Sequence, residues 1–130
     1  HSPVFARRPT QLFLVKHFEW QSELTAEDRQ ILINWLIVVQ VEFRLLPETI
    51  QATVNLIDRF LHKKQVKALS DFQLIGITAM FIACKFHELY PPVISDFIQV
   101  TYNSFTKKQL LDMEVEMMIA LDFDFNCTIP

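Results

Sequence analysis

Four charged side chains stand alone among apolar neighbours: Arg29 and Asp58, Lys85 and Glu114. Isolated charges can pair or bind, but the residues catalysis would need around them are missing. There is no nucleophile-elbow glycine, no phosphate-cradling loop and no adjacent pair of catalytic carboxylates. Glu42, Asp58, Glu88 and Glu114 are instead scattered at helical spacing. Cys84 and Cys127 lie apart, with no CxxC and no Cys/His cluster. No metal site is therefore expected, and two reduced thiols fit a cytosolic or nuclear protein better than a disulfide does. An enzyme is the least expected reading, and no cofactor or metal is expected.

The elements that must hold these charges follow from the hydrophobic pattern. At 130 residues, 51% hydrophobic and with a single Gly, the chain has room for one domain of helices joined by short turns. A formal charge of −3 argues against nucleic-acid binding. The N-terminus lacks the basic-then-apolar order of a signal peptide, and His1-Ser2 reads as a cloning remnant. Leu74 to Cys84 carries no charge over eleven residues. That is too short to cross a bilayer, so it reads as a central helix wrapped by others, spanning about Ser70 to Phe86 and stopped by Pro91-Pro92. Lys85 then lies where core meets surface.

Thr25-Ala26-Glu27-Asp28 is a capping signal for a helix reaching about Phe43. Its stripe Leu32, Leu36, Val39, Phe43 faces inward; a second stripe, Ile31, Trp35, Val38, is open between core and surface patch. Pro47 suits the first turn of another helix with Ile50, Val54, Ile57 and Leu61 on its inner face. A short helix over about Val93 to Val100 follows. Thr106 to Gln109 then opens a last helix with Leu110, Leu111, Met117, Met118 and Leu121 facing in. Leu12, Leu14, Val15 and Phe18 have the spacing for one extra N-terminal helix. An all-α fold of five helices around a buried one is expected, with 1–24 as an N-terminal segment and 25–130 as the domain. Arg29 and Asp58 are expected to join the first two helices as a partly buried ion pair, whose loss would cost about 3 kcal/mol. Lys85 and Glu114 carry no functional weight on spacing alone.

Arg29 to Leu36, Ile57-Asp58-Arg59-Phe60-Leu61, Phe72-Gln73-Leu74-Ile75-Gly76, Lys85-Phe86-His87-Glu88-Leu89-Tyr90-Pro91-Pro92 and Tyr102 through Glu114 resemble, in order and spacing, the signatures of the N-terminal cyclin box of A- and B-type cyclins. The resemblance covers about Thr25 to Pro130, where a second box of such proteins would begin; the chain is expected to be a shortened piece or a single-box relative. It implies a regulatory subunit that binds and activates a cyclin-dependent kinase in the nucleus or cytoplasm, with no membrane or nucleic-acid partner. It also implies that Lys85 and Glu114 bind the kinase, with Phe86, Glu88, Val115, Met118 and Phe123 around them, and that Arg29 and Asp58 are the family's internal ion pair. Ile31, Leu32, Trp35, Val38, Phe72 and Gln73 match a docking patch for Arg-x-Leu peptides of substrates and inhibitors. Here Val38 and Tyr102 stand in place of the family's acids, leaving Asp28 as the one candidate for charge recognition. His87, where an acid is common, is expected to be an ordinary exposed side chain. The competing reading is a cyclin-fold adaptor in transcription, which would need a basic face.

Overall fold

The structure, a computed structural model, describes residues 25–64, 66 and 70–122. Among these it contains five helices and no strand: α1 Ala26–Phe43, α2 Pro47–Lys63, α3 Ser70–His87, α4 Ile94–Gln99 and α5 Lys107–Ala120. The expected N-terminal helix, Phe123 and Cys127 lie outside the described residues. No described helix is long and apolar enough to cross a membrane.

Local chemistry sets most of the boundaries. Thr25 Oγ1 accepts from the Asp28 N–H at 3.1 Å while Asp28 Oδ2 accepts from the Thr25 N–H at 2.9 Å, closing both halves of a capping box. Thr106 and Gln109 do the same for α5 at 3.1 and 2.8 Å. Pro47 occupies the first turn of α2, where its missing N–H costs nothing. α1 ends on Arg44 in the left-handed conformation, φ 55°, with Leu45 N–H donating back to Gln40 O.

α3 is the axis of the fold, packed against α1, α2, α4 and α5. Phe72, Leu74, Ile75, Ile77, Met80, Ile82 and Cys84 are all buried on it. Enclosure of each of its isoleucines contributes roughly 2 kcal/mol. α1 reaches α3 closely because residue 76 is the chain's single Gly: a Cβ there would lie 2.9 Å from Leu32 Cδ1.

Packing departs from the simple stripes in several places. On α2 the fully buried residues are Thr49, Ala52, Thr53, Leu56, Ile57 and Phe60; Ile50, Val54 and Leu61 are only half-buried. Small residues and threonines thus face the neighbouring helices, and the buried Thr53 hydroxyl is satisfied by Thr49 O at 2.7 Å. On α5, Leu110, Met117 and Leu121 face in, but Leu111 is exposed and Met118 half-buried, because α5 lies at the edge of the bundle. On α1 the second stripe divides: Trp35 joins the core at 2% exposure, while Ile31 and Val38 stay half-buried.

Arg29 and Asp58 meet in a two-pronged ion pair, Nε to Oδ1 at 3.0 Å and Nη2 to Oδ2 at 2.8 Å, tying α1 to α2. The hydrogen bond to Asp58 raises the Arg29 pKa above its ordinary value against the opposing effect of burial. The expected partial burial is corrected: the two side chains are 41% and 47% exposed. Water already solvates both ions, so the pair is worth about 1 kcal/mol rather than 3.

Candidate functional site

The C-terminal end of α3 meets the middle of α5 at one rim. Lys85 Nζ donates to Glu114 Oε2, joining the two helices. The Glu114 side chain is 9% exposed and that of Lys85 44%, so the carboxylate sits in the wall and the ammonium faces outward. Lys85 Nζ also lies 4.3 Å from the centroid of the Phe81 ring, one helical turn back. A lysine ammonium has three donors and a carboxylate two acceptor oxygens, so the internal bond leaves donors on Lys85 and an oxygen on Glu114 for a second molecule.

Around this polar pair the surface is apolar. Phe86, next to Lys85 on α3, is 58% exposed; Val115, next to Glu114 on α5, is 52% exposed, and Met118 three residues on is half-buried. Leu89, Tyr90 and Ile119, which the sequence reasoning did not assign, and Leu111, which it placed inward, are further exposed apolar residues on the same two segments. Their signal was available: Leu111, Val115 and Ile119 recur every four residues, one face of a helix.

Glu88 has an internal role that the sequence did not show. Its Oε2 accepts from the Leu46 N–H at 2.8 Å and from the Thr49 hydroxyl. It therefore ties the segment after α3 to the start of α2, where Leu46, the N-cap, has no side-chain oxygen to offer. A carboxylate at a helix N-terminus also suits the helix dipole. Both bonds fall on Oε2, so one oxygen of Glu88 is engaged inside the molecule, a structural role beside the outward contact that the resemblance implies. His87 is corrected: it is half-buried, and its Nε2 is enclosed without a hydrogen-bond partner among the described residues.

The docking patch is the largest disagreement. Leu32, Trp35, Phe72 and Gln73 are all buried, leaving only Ile31 and Val38 half-exposed. The close approach at Gly76 seats Leu32 on α3, and Trp35, one turn on, is buried with it. Asp28 cannot supply the missing charge, because it is buried and its carboxylate closes the capping box.

Cys84 is buried in α3, and burial, with a lesser contribution from the Glu88 charge, pushes its thiol up from an ordinary 9.0 to about 12. It is a packing residue, inert as a nucleophile. Among the described residues no cluster of three metal-ligating side chains occurs.

The described residues thus form an all-helical bundle around a buried central helix, with a lysine–glutamate pair between the end of α3 and the middle of α5. Residues 5–126 match the family described as Cyclin, N-terminal domain, and the chain belongs to the cyclin family. It is 48% identical over 115 residues to G2/mitotic-specific cyclin-B1 of Anguilla japonica, covering 88% of this chain and 28% of that protein. It is likewise 48% identical over 105 residues to G2/mitotic-specific cyclin-B1 of Caenorhabditis elegans, covering 81% and 29%. The fold is similar to the X-ray structure of a viral cyclin from herpesvirus saimiri, with TM-score 0.74 and 28% identity over 94% of this chain and 53% of that one. The chain thus spans under a third of the length of these curated relatives.

Proposed function

We propose that this domain is the kinase-binding box of a mitotic-type cyclin: a regulatory subunit, not an enzyme, that activates a cyclin-dependent protein kinase in the nucleus or cytoplasm. The observation that carries the reading is the Lys85–Glu114 pair, held across α3 and α5 with spare donors and acceptors and ringed by exposed Phe86 and Val115. The B-type relatives support it over a role as a transcription adaptor, and so does the formal charge of −3.

The mechanism is a population shift. A protein kinase is active when its β3 lysine pairs with the glutamate of its C helix. A partner that binds only the inward position of that helix stabilises the active state by its differential affinity. Lys85 donates to backbone carbonyls of the kinase, Glu114 accepts from its amides or hydroxyls, and Phe86, Val115 and Met118 exclude water around them. Phe123 is a further kinase contact that the resemblance implies. The two charges fix register, while the apolar residues supply most of the buried area.

The test is a pull-down of a panel of cyclin-dependent kinases with the chain, followed by phosphorylation of histone. Capture and stimulation of at least one kinase is expected. Absence of binding across the panel refutes the reading.

A further inference from the structure

Lys85 carries four methylenes and an ammonium that is 44% exposed, and such a side chain on a surface is ordinarily free to sweep. Here two groups hold it. Glu114 accepts a hydrogen bond from it, and the Phe81 ring lies 4.3 Å from it, centroid to nitrogen, within the range of a cation–π contact. The Phe81 ring is itself braced: it stands edge-on to Phe97 at 5.4 Å and 71°, and Phe97 stands edge-on to Phe43 at 5.3 Å and 74°. Phe97 is the buried residue of the six-residue α4, and Phe43 closes α1. Three elements thus converge on the underside of one lysine.

We infer that Phe81 is a positioning residue for the kinase-binding rim. Its ring, held by the column Phe43–Phe97–Phe81, keeps the Lys85 ammonium aimed outward before a partner arrives. The inference rests on the proposed kinase-binding role of Lys85. Physically, Glu114 alone would draw the ammonium down into the wall. The ring attracts the same charge without taking any of its protons, so it restrains the stem and leaves the remaining N–H donors for the partner. Ordering the side chain in the free protein removes an entropy cost that binding would otherwise carry. This assigns α4 a purpose that its small size would not suggest: it delivers Phe97 to the back of the ring.

The experiment compares Phe81→Leu, which keeps an apolar side chain but removes the π face, with Phe81→Tyr, which retains it. Ile77→Val is a control that loosens the buried side of α3 away from the rim. In the free chain, NMR should find the Lys85 Hε protons upfield of those of Lys63 and Lys64, through the ring current, in the parent and Phe81→Tyr but not in Phe81→Leu. Calorimetry against a kinase that binds the parent should show affinity reduced about two- to fivefold by Phe81→Leu, the size of an exposed cation–π contact, and little changed by Phe81→Tyr or Ile77→Val. No upfield shift in the parent overturns the inference, as does a Phe81→Leu chain that binds as tightly as the parent. A Phe81→Leu chain that binds no worse than an equally destabilised Ile77→Val chain reduces Phe81 to packing and overturns it as well. If no kinase in the panel binds even the parent, the kinase-rim reading falls and takes this role with it; the ring-current measurement shows separately whether the aromatic seat exists.

Discussion

Removal of the Glu88 carboxylate should unfasten α2 from the segment that follows α3. In Glu88→Ala the Thr49 hydroxyl, fully buried, loses its acceptor, and the Leu46 N–H loses a charged partner at the head of α2. The first loss costs about 1–3 kcal/mol, as for any buried polar group left unmet. The second costs about 0.5–1 kcal/mol, the lower part of the range for lost helix caps, because Leu46 is exposed and water can replace the carboxylate. Together they predict about 2–4 kcal/mol of destabilisation, a fall in Tm on the order of 10 °C for a domain this size. Thermal and urea unfolding followed by circular dichroism read this directly. In a Thr49→Val background the same substitution should cost less by about 1–3 kcal/mol, since no hydroxyl remains to be stranded. If Glu88→Ala leaves the Tm unchanged, or if its cost is the same in the Thr49→Val background, the carboxylate is not the tie described here.

Asp58→Ala should destabilise by only about 1 kcal/mol, and the loss should shrink in high salt, because both members of the Arg29–Asp58 pair are solvated; denaturant titration at two ionic strengths checks it. Well below pH 9 the Cys84 thiol is protonated in both folded and unfolded states, so it gives stability no pH dependence there. As pH rises from 9.0 towards about 12 the unfolded thiol ionises first, and stability should fall by up to about 1.4 kcal/mol per pH unit, a slope that Cys84→Ala removes. Lys85→Ala should destabilise more than Glu114→Ala, by about 1–2 kcal/mol, because it leaves a buried carboxylate unpaired whereas the converse leaves an ammonium that water reaches; Lys85→Ala with Glu114→Gln should recover most of the difference in urea melts.

The helices were readable because their ends are written locally. Thr25 with Asp28, Thr106 with Gln109, Pro47 and Pro91-Pro92 all act within a few residues of the boundaries they set. The uncharged run Leu74 to Cys84 likewise announced a helix enclosed on every side. What escaped depends on contacts between distant residues. Glu88 meets Leu46 across 42 positions of chain, and nothing near either residue marks the bond. Whether Trp35 faces water depends on how closely α1 packs on the bundle, which Leu32 against Gly76 helps to set, so its stripe had to stay open between core and surface until the helices were placed. The charge of Asp58 could be seen to need a partner, but its solvation could not, because exposure is a property of the assembled bundle. At the rim, periodicity could not tell exposed Val115 and Ile119 from core residues, since α5 is apolar on more than one face.

The central claim is that the Lys85–Glu114 rim is where a kinase binds. Calorimetric titration of a responsive cyclin-dependent kinase with the parent, Lys85→Ala and Glu114→Ala chains, each shown folded by circular dichroism at the temperature used, tests it most directly. Removing either member leaves polar groups of the partner buried and unmet, so each substitution should cost roughly 2–5 kcal/mol of binding, enough to empty a micromolar complex. Folded variants that bind as tightly as the parent would contradict the claim and move the interface elsewhere on the domain.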